Sequence, residues 1–146
     1  MNKTFVIFLL ILAGSFVSLQ ASINARLAKH VGFLESAFIS FFVGTITLFI
    51  FLMLKGEHNL KNITDVPLLY LTGGILGAIF VYSITYSVHI TGVTTALAIT
   101  IGVQLFVGLI LDKFDPMKVI KLNIGLLNVL GIILIILGVI LTSWRK

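Results

Sequence analysis

Cysteine is absent from the chain, proline occurs twice, and Asp and Glu together number five in 146 residues. Without cysteine there is no disulfide, no thiolate nucleophile and no thiolate metal ligand. With proline only at 67 and 116, the long stretches on either side carry no proline to interrupt a helix. Charge is scarce throughout: Asp, Glu, Lys and Arg make up 10% of the residues, against about 25% in soluble domains. A reactive constellation is lacking as well. The three histidines fall in three different places, no carboxylates pair inside an apolar stretch, and no nucleophile stands beside a base or a Gly-rich phosphate loop. No catalytic residue, metal ligand or cofactor is therefore expected, and the chain does not read as an enzyme. Aromatic and basic residues are not interleaved and no groove-reading motif occurs, which argues against a nucleic-acid partner.

What the chain has in abundance is hydrocarbon. Apolar residues reach 59% and the mean hydropathy is +1.20, beyond the roughly 45–50% apolar content of soluble domains. This is the composition of an all-α integral membrane protein whose first partner is the lipid bilayer. A span needs about 20 mostly apolar residues. Five segments qualify within a single transmembrane domain, residues 1–146: about 5–25, 33–54, 68–90, 93–111 and 123–143. Lys3 followed by Phe5–Ala13 imitates a signal peptide, but the apolar run continues through Val17 and Leu19, which favours a span. Pro67 precedes the third span, a polar loop from Asp112 to Lys121 precedes the fifth, and Trp144 with Arg145 and Lys146 anchors its end. An odd number of spans puts the termini on opposite faces. Of the ten Lys and Arg, Lys3, Lys55, Lys61, Lys113, Lys118 and Lys121 fall on one face, and Arg26, Lys29, Arg145 and Lys146 on the other. That bias is too slight to fix an orientation, so insertion both ways up is open.

Polar groups inside apolar runs are costly and tend to face a bundle interior or a cavity. Gln20 and Asn24 are four residues apart and share a face of the first helix. Tyr82, Tyr86 and His89 draw a polar-tipped stripe on the third. Gln104 is the deepest amide, near the middle of the fourth. Gln20, Asn24, Tyr82, Tyr86 and Gln104 are the candidate substrate contacts, with Glu35 and His89 as candidate coupling residues. Glu35 reads equally as a first-turn acid favoured by the helix dipole, Tyr86 and His89 as interfacial side chains, and Gln104 as a helix-tying amide. Gly14 and Ser18, Gly73 and Gly77, and Gly131 and Gly138 recur at helical spacings that permit close backbone approach, so these are the candidate packing residues.

Several of these stretches resemble a known family. Gln20-Ala21-Ser22-Ile23-Asn24-Ala25-Arg26-Leu27, Ile39-Ser40-Phe41-Phe42-Val43-Gly44-Thr45, Gly73-Gly74-Ile75-Leu76-Gly77-Ala78, Gly102-Val103-Gln104-Leu105, Ile110-Leu111-Asp112-Lys113-Phe114 and the glycine-studded run from Leu130 to Val139 are similar to the half-size YdcZ-type branch of the drug/metabolite transporter (DMT) superfamily. The pattern departs at Val103, which separates Gly102 from Gln104, at His89, where the family often has proline, and at Lys113 and Asp115. The resemblance implies multi-pass placement in a bacterial-type inner membrane and transport, in the sense of export, of small metabolites or drugs. Larger transporters of the superfamily have ten helices built from two five-helix halves. An inverted repeat places its binding site near the midplane between two oppositely inserted halves. The expectation is thus a secondary-active transporter in which this chain is one half, working by alternating access with an inverted copy of itself or a paralogous half-transporter. The alternative is a non-transporting membrane subunit or scaffold that packs through its Gly-rich helix faces.

Overall fold

A computed structural model describes residues 3–56, 60–114 and 125–144. It is helical, with five helices long and apolar enough to cross a membrane and no strand among the described residues. They are α1 (Lys3–Val31), α2 (Phe33–Lys55), α3 (Gly73–Thr91), α4 (Val93–Phe114) and α5 (Leu126–Ser143). The chain divides into two compact units, Met1–Ile90 and Thr91–Lys146.

In the first unit α1 packs on α2. The buried side of α1 is Ala21, Asn24, Ala25 and Ala28, spaced so that they form one stripe. From α2, Ser36 and Ala37 are buried. Small residues on both helices let the backbones approach, which matters because lipid supplies no hydrophobic drive between helices. In the second unit α4 packs on α5. Gly102 is buried there, and a Cβ at that position would lie 3.2 Å from Val139 Cγ2. Most large apolar side chains are exposed in the single chain, and α5 has no buried residue, as expected where hydrocarbon is the solvent.

The helices differ from the sequence-based spans mainly at their ends. α1 does not stop at Ala25. It runs on through Arg26, Lys29 and His30 to Val31, because nothing before Gly32 breaks it. At 29 residues and about 1.5 Å per residue it is roughly 43 Å long, longer than a hydrocarbon core of about 30 Å, so its basic end reaches the interface. α4 likewise extends past Leu111 to Phe114. The third span starts not as α-helix but as a 3-10 turn, Leu68–Thr72, with the Tyr70 N–H donating to the Pro67 carbonyl at 2.9 Å. Thr72 Oγ1 donates to the Leu69 carbonyl at 2.7 Å, and two weak helix formers, Gly73 and Gly74, follow. The loop from Asp115 to Lys121 with Pro116, the expected start of the last span at Asn123, and Arg145 and Lys146 lie outside the described residues.

Two glycines make the tight turns. Gly92 (φ +82°) separates α3 from α4, as the Thr91 and Gly92 pair predicts. Gly32, which sequence reasoning passed over, is the single residue between α1 and α2 at φ 100°, ψ 161°, a region open essentially to glycine alone. Its carboxylate neighbour Glu35 folds back onto the place where a Cβ at Gly32 would stand. Within the spans, Ser15, Ser18, Thr47, Thr100 and Thr142 each donate to the carbonyl four residues earlier, at 2.7–3.1 Å. These hydroxyls are thereby satisfied without a partner helix.

Gly32→Ala forces a β-carbon into that backbone region and against the Glu35 carboxylate. It is expected to destabilise the protein by about 1–3 kcal/mol, whereas Gly44→Ala, which meets open space on α2, leaves stability unchanged or higher. Thermal unfolding of the purified variants in detergent reads the difference; equal midpoints for the two would contradict it.

Candidate functional site

The first unit carries an open, groove-like cavity of ≈ 410 Å³ between α2 and α3, lined by Leu34, Ala37, Phe38, Phe41, Ala78, Ile79 and Tyr82, of which Leu34 and Phe38 are 66% and 68% exposed. Its existence follows from side-chain size. Ala37 on α2 and Ala78 on α3 contribute only methyl groups between the bulky Leu34, Phe38, Phe41 and Ile79. Beside it the Phe41 ring of α2 lies against Gly77 of α3, where a Cβ would stand 3.3 Å from Phe41 Cζ. The volume lies within the roughly 300–1,000 Å³ range of small-molecule sites. The lining is hydrocarbon and aromatic, and Tyr82 is its single polar-tipped residue.

One turn beyond Tyr82 along α3 is an aromatic contact that the sequence pattern did not single out. Phe33, the first residue of α2, sets its ring edge-on to Tyr86 (centroids 5.1 Å apart, 73°) and to His89 (5.3 Å, 70°). Edge-to-face pairs of aromatic rings contribute about 0.5–1.5 kcal/mol beyond their burial. Tyr86 and His89 are three residues apart and share a helix face, which lets one ring reach both. The turn at Gly32 delivers Phe33 there.

Asn24 occupies a different place. It is 4% exposed, its Nδ2 donates to Ser40 Oγ at 3.2 Å, and its backbone carbonyl accepts from Ser36 Oγ at 2.8 Å. Two hydrogen bonds around one residue thus clasp α1 to α2. Gln20 is exposed on α1, one turn before this clasp, and Glu35 is exposed in the first turn of α2. The structure therefore groups Tyr86 and His89 around Phe33, sets Tyr82 in the cavity, and engages Asn24 in the α1–α2 contact.

Gln104 belongs to the second unit, where it is exposed on α4, and Asn128 is exposed on α5. That unit has its own apolar groove of ≈ 240 Å³, lined by Ile99, Gly102, Val103, Phe106, Ile136, Val139 and Ile140. Of the glycines read as packing residues, Gly77 approaches Phe41, whereas Gly14, Gly73, Gly131 and Gly138 have open space where a Cβ would stand. Ser18 bonds the Gly14 carbonyl at 3.1 Å, so that small-residue face of α1 has no unmet hydrogen bond from its serine. Among the described residues no cluster of His, Asp or Glu is arranged to hold a metal ion. What the first unit can do chemically is accommodate a compact apolar or amphipathic body and orient it by one phenol.

The residues missed by sequence reasoning, Phe33, Leu34, Phe38, Phe41 and Ala78, are all apolar. Their signal was not rarity in lipid but the juxtaposition of alanine with bulky neighbours across two helices, which no single helix displays.

Ser36 is fully buried at 0% exposure, so its contribution to the clasp can be measured directly. Ser36→Ala is expected to lower stability by about 0.5–1.5 kcal/mol through the lost hydrogen bond, and Ser36→Leu by more, since the site has no room for extra methylenes. Denaturation of the two variants should rank them in that order below the native chain.

A family model described as "Putative inner membrane exporter, YdcZ" matches residues 5–141. No curated protein and no solved structure gives a significant match.

Proposed function

The chain belongs to the YdcZ family, a family of multi-pass inner membrane proteins, and from that premise we propose that it exports small amphipathic metabolites or drugs as one half of an antiparallel two-chain transporter. The observation that carries this reading is the ≈ 410 Å³ cavity between α2 and α3, of a size for one small molecule and lined for an apolar one. Its solute is held by Phe38, Phe41 and Ile79 and oriented by Tyr82. Tyr86, with His89 and Phe33, marks the next contact toward the membrane face, and Asn24 joins only when its bond to Ser40 opens. Gln20 and Gln104, both exposed in the single chain, meet solute or a partner chain.

One chain leaves faces on which a second can pack. α5 has no buried residue, and Gly14, Gly73, Gly131 and Gly138 face open space. Close approach of a second chain over such faces is favourable in lipid. With the second chain inverted, the two related cavities open toward opposite faces, and alternating access is an exchange between them. The lining of the cavity carries no ionisable group other than the phenol. Coupling therefore falls to Glu35 and His89 at the membrane-face end, both exposed.

Filling the cavity tests the reading. Ala78→Trp places an indole among Phe41, Ile79 and Tyr82, and efflux of amphipathic dyes from loaded vesicles is expected to fall to background while the protein still inserts and assembles. Tyr82→Phe, which keeps the volume and removes the hydroxyl, should retain efflux of purely apolar dyes and lose part of it for hydrogen-bonding ones. Unchanged efflux in Ala78→Trp contradicts the assignment of the cavity, and a native chain that moves no solute yet holds a partner favours a scaffold built on the glycine faces.

A further inference from the structure

Thr85, in the second half of α3, differs from the five span hydroxyls that bond back along their own helix. It is 0% exposed, and its Oγ1 has no hydrogen-bond partner among the described residues. Ser15, Ser18, Thr47, Thr100 and Thr142 show the inexpensive solution, a bond to the carbonyl four residues back. Thr85 has the Val81 carbonyl at that position and does not use it. A buried hydroxyl without a partner is costly, more so inside a span where lipid offers no hydrogen bond. Ser143 also has a buried, unpartnered Oγ, but it is the last residue of α5, beside Trp144 at the interface. Thr85 is six residues from the end of α3 at Thr91, roughly 9 Å along the axis, and so within the hydrocarbon.

Its neighbours along the helix give the position a meaning. Tyr82 precedes it by three residues and His89 follows by four, and residues so spaced are adjacent on a helix surface. Tyr82 lines the cavity, and His89 lies against Phe33. Thr85 therefore flanks both, on the buried side formed by Val81, Ile84, Thr85 and Val88.

We infer that Thr85 is a contact on the aqueous pathway: its hydroxyl, dry and unpaired in this conformation, is hydrated in a second conformation in which that buried side of α3 opens. The inference rests on the transport reading above and adds to it the surface that must part. A hydroxyl kept unpaired by packing in one state and wetted in the other favours the open state each time it forms, which is the differential interaction that a two-state exchange requires.

The native chain has no cysteine, so a single replacement is the only thiol present. Thr85→Cys, reconstituted in lipid vesicles, is treated with a charged, water-soluble methanethiosulfonate reagent, which reacts with a thiolate and hence with a thiol in contact with water. Leu134→Cys, on the exposed surface of α5, serves as the lipid-facing control. Labelling of Thr85→Cys with the control unlabelled is the expected result; an unlabelled Thr85→Cys overturns the inference. Thr85→Val supplies the second reading. Removal of an unpaired hydroxyl at constant shape is expected to raise the thermal midpoint by about 2–4 °C, whereas a lowered midpoint means that the hydroxyl is bonded in the resting state and overturns the inference. Neither readout needs a substrate, so dye efflux from native vesicles decides the transport reading separately.

Discussion

Hydrocarbon neither accepts nor donates a hydrogen bond, and it attracts an apolar helix face as well as another helix does. The structure follows from that one constraint. Several polar side chains in the spans are quenched within their own helix, as with the five serines and threonines that bond back four residues, or clasped between two helices, as with Asn24, Ser36 and Ser40; the buried Thr85 hydroxyl is an exception. Helices associate where small residues allow close packing, at Ala21, Ala25, Ala28 and Ala37 in the first unit and at Gly102 in the second. Faces that satisfy neither condition remain open, and α5 is the extreme case.

The same constraint shapes the candidate site. The Phe41 ring of α2 reaches across to Gly77 of α3, and the alanines beside this contact leave an open volume between the bulky side chains. Because its lining is apolar, the cavity costs nothing in unpaired hydrogen bonds, and selectivity for a solute rests on shape and on the Tyr82 phenol. The aromatic contact of Phe33 with Tyr86 and His89 lies next to Gly32, where a backbone conformation closed to other residues joins two long helices.

The span count and the membrane class were legible because apolar runs of this length have no other use, and the Gly92 turn because a glycine interrupts an otherwise continuous run. The ends of α1 and α4 were not, since Arg, Lys and Asp mark the edge of the hydrocarbon rather than the end of the helix, and a helix continues into the headgroups until its backbone is broken. Gly32 was overlooked for a related reason: the nearby charges at Arg26, Lys29, His30 and Glu35 drew the turn toward themselves. Asn24 was visible as a polar residue in lipid, yet its bond to Ser40 depends on how two helices lie together, which periodicity along one helix does not encode. The cavity was hidden for the same cause, being made by apolar residues that are individually unremarkable in a membrane chain.

The proposed pairing with an inverted copy requires what no structure of a single chain supplies, namely that identical chains insert in opposite senses. Lys and Arg fall six on one face and four on the other, a weak bias that sets no strong barrier to this. The most direct measurement is a reporter fused to the C-terminus and read from both sides of the membrane in cells that express this chain alone. The account predicts signal on both sides in comparable amounts. Signal confined to one side, with no second chain present, would contradict pairing with an inverted copy.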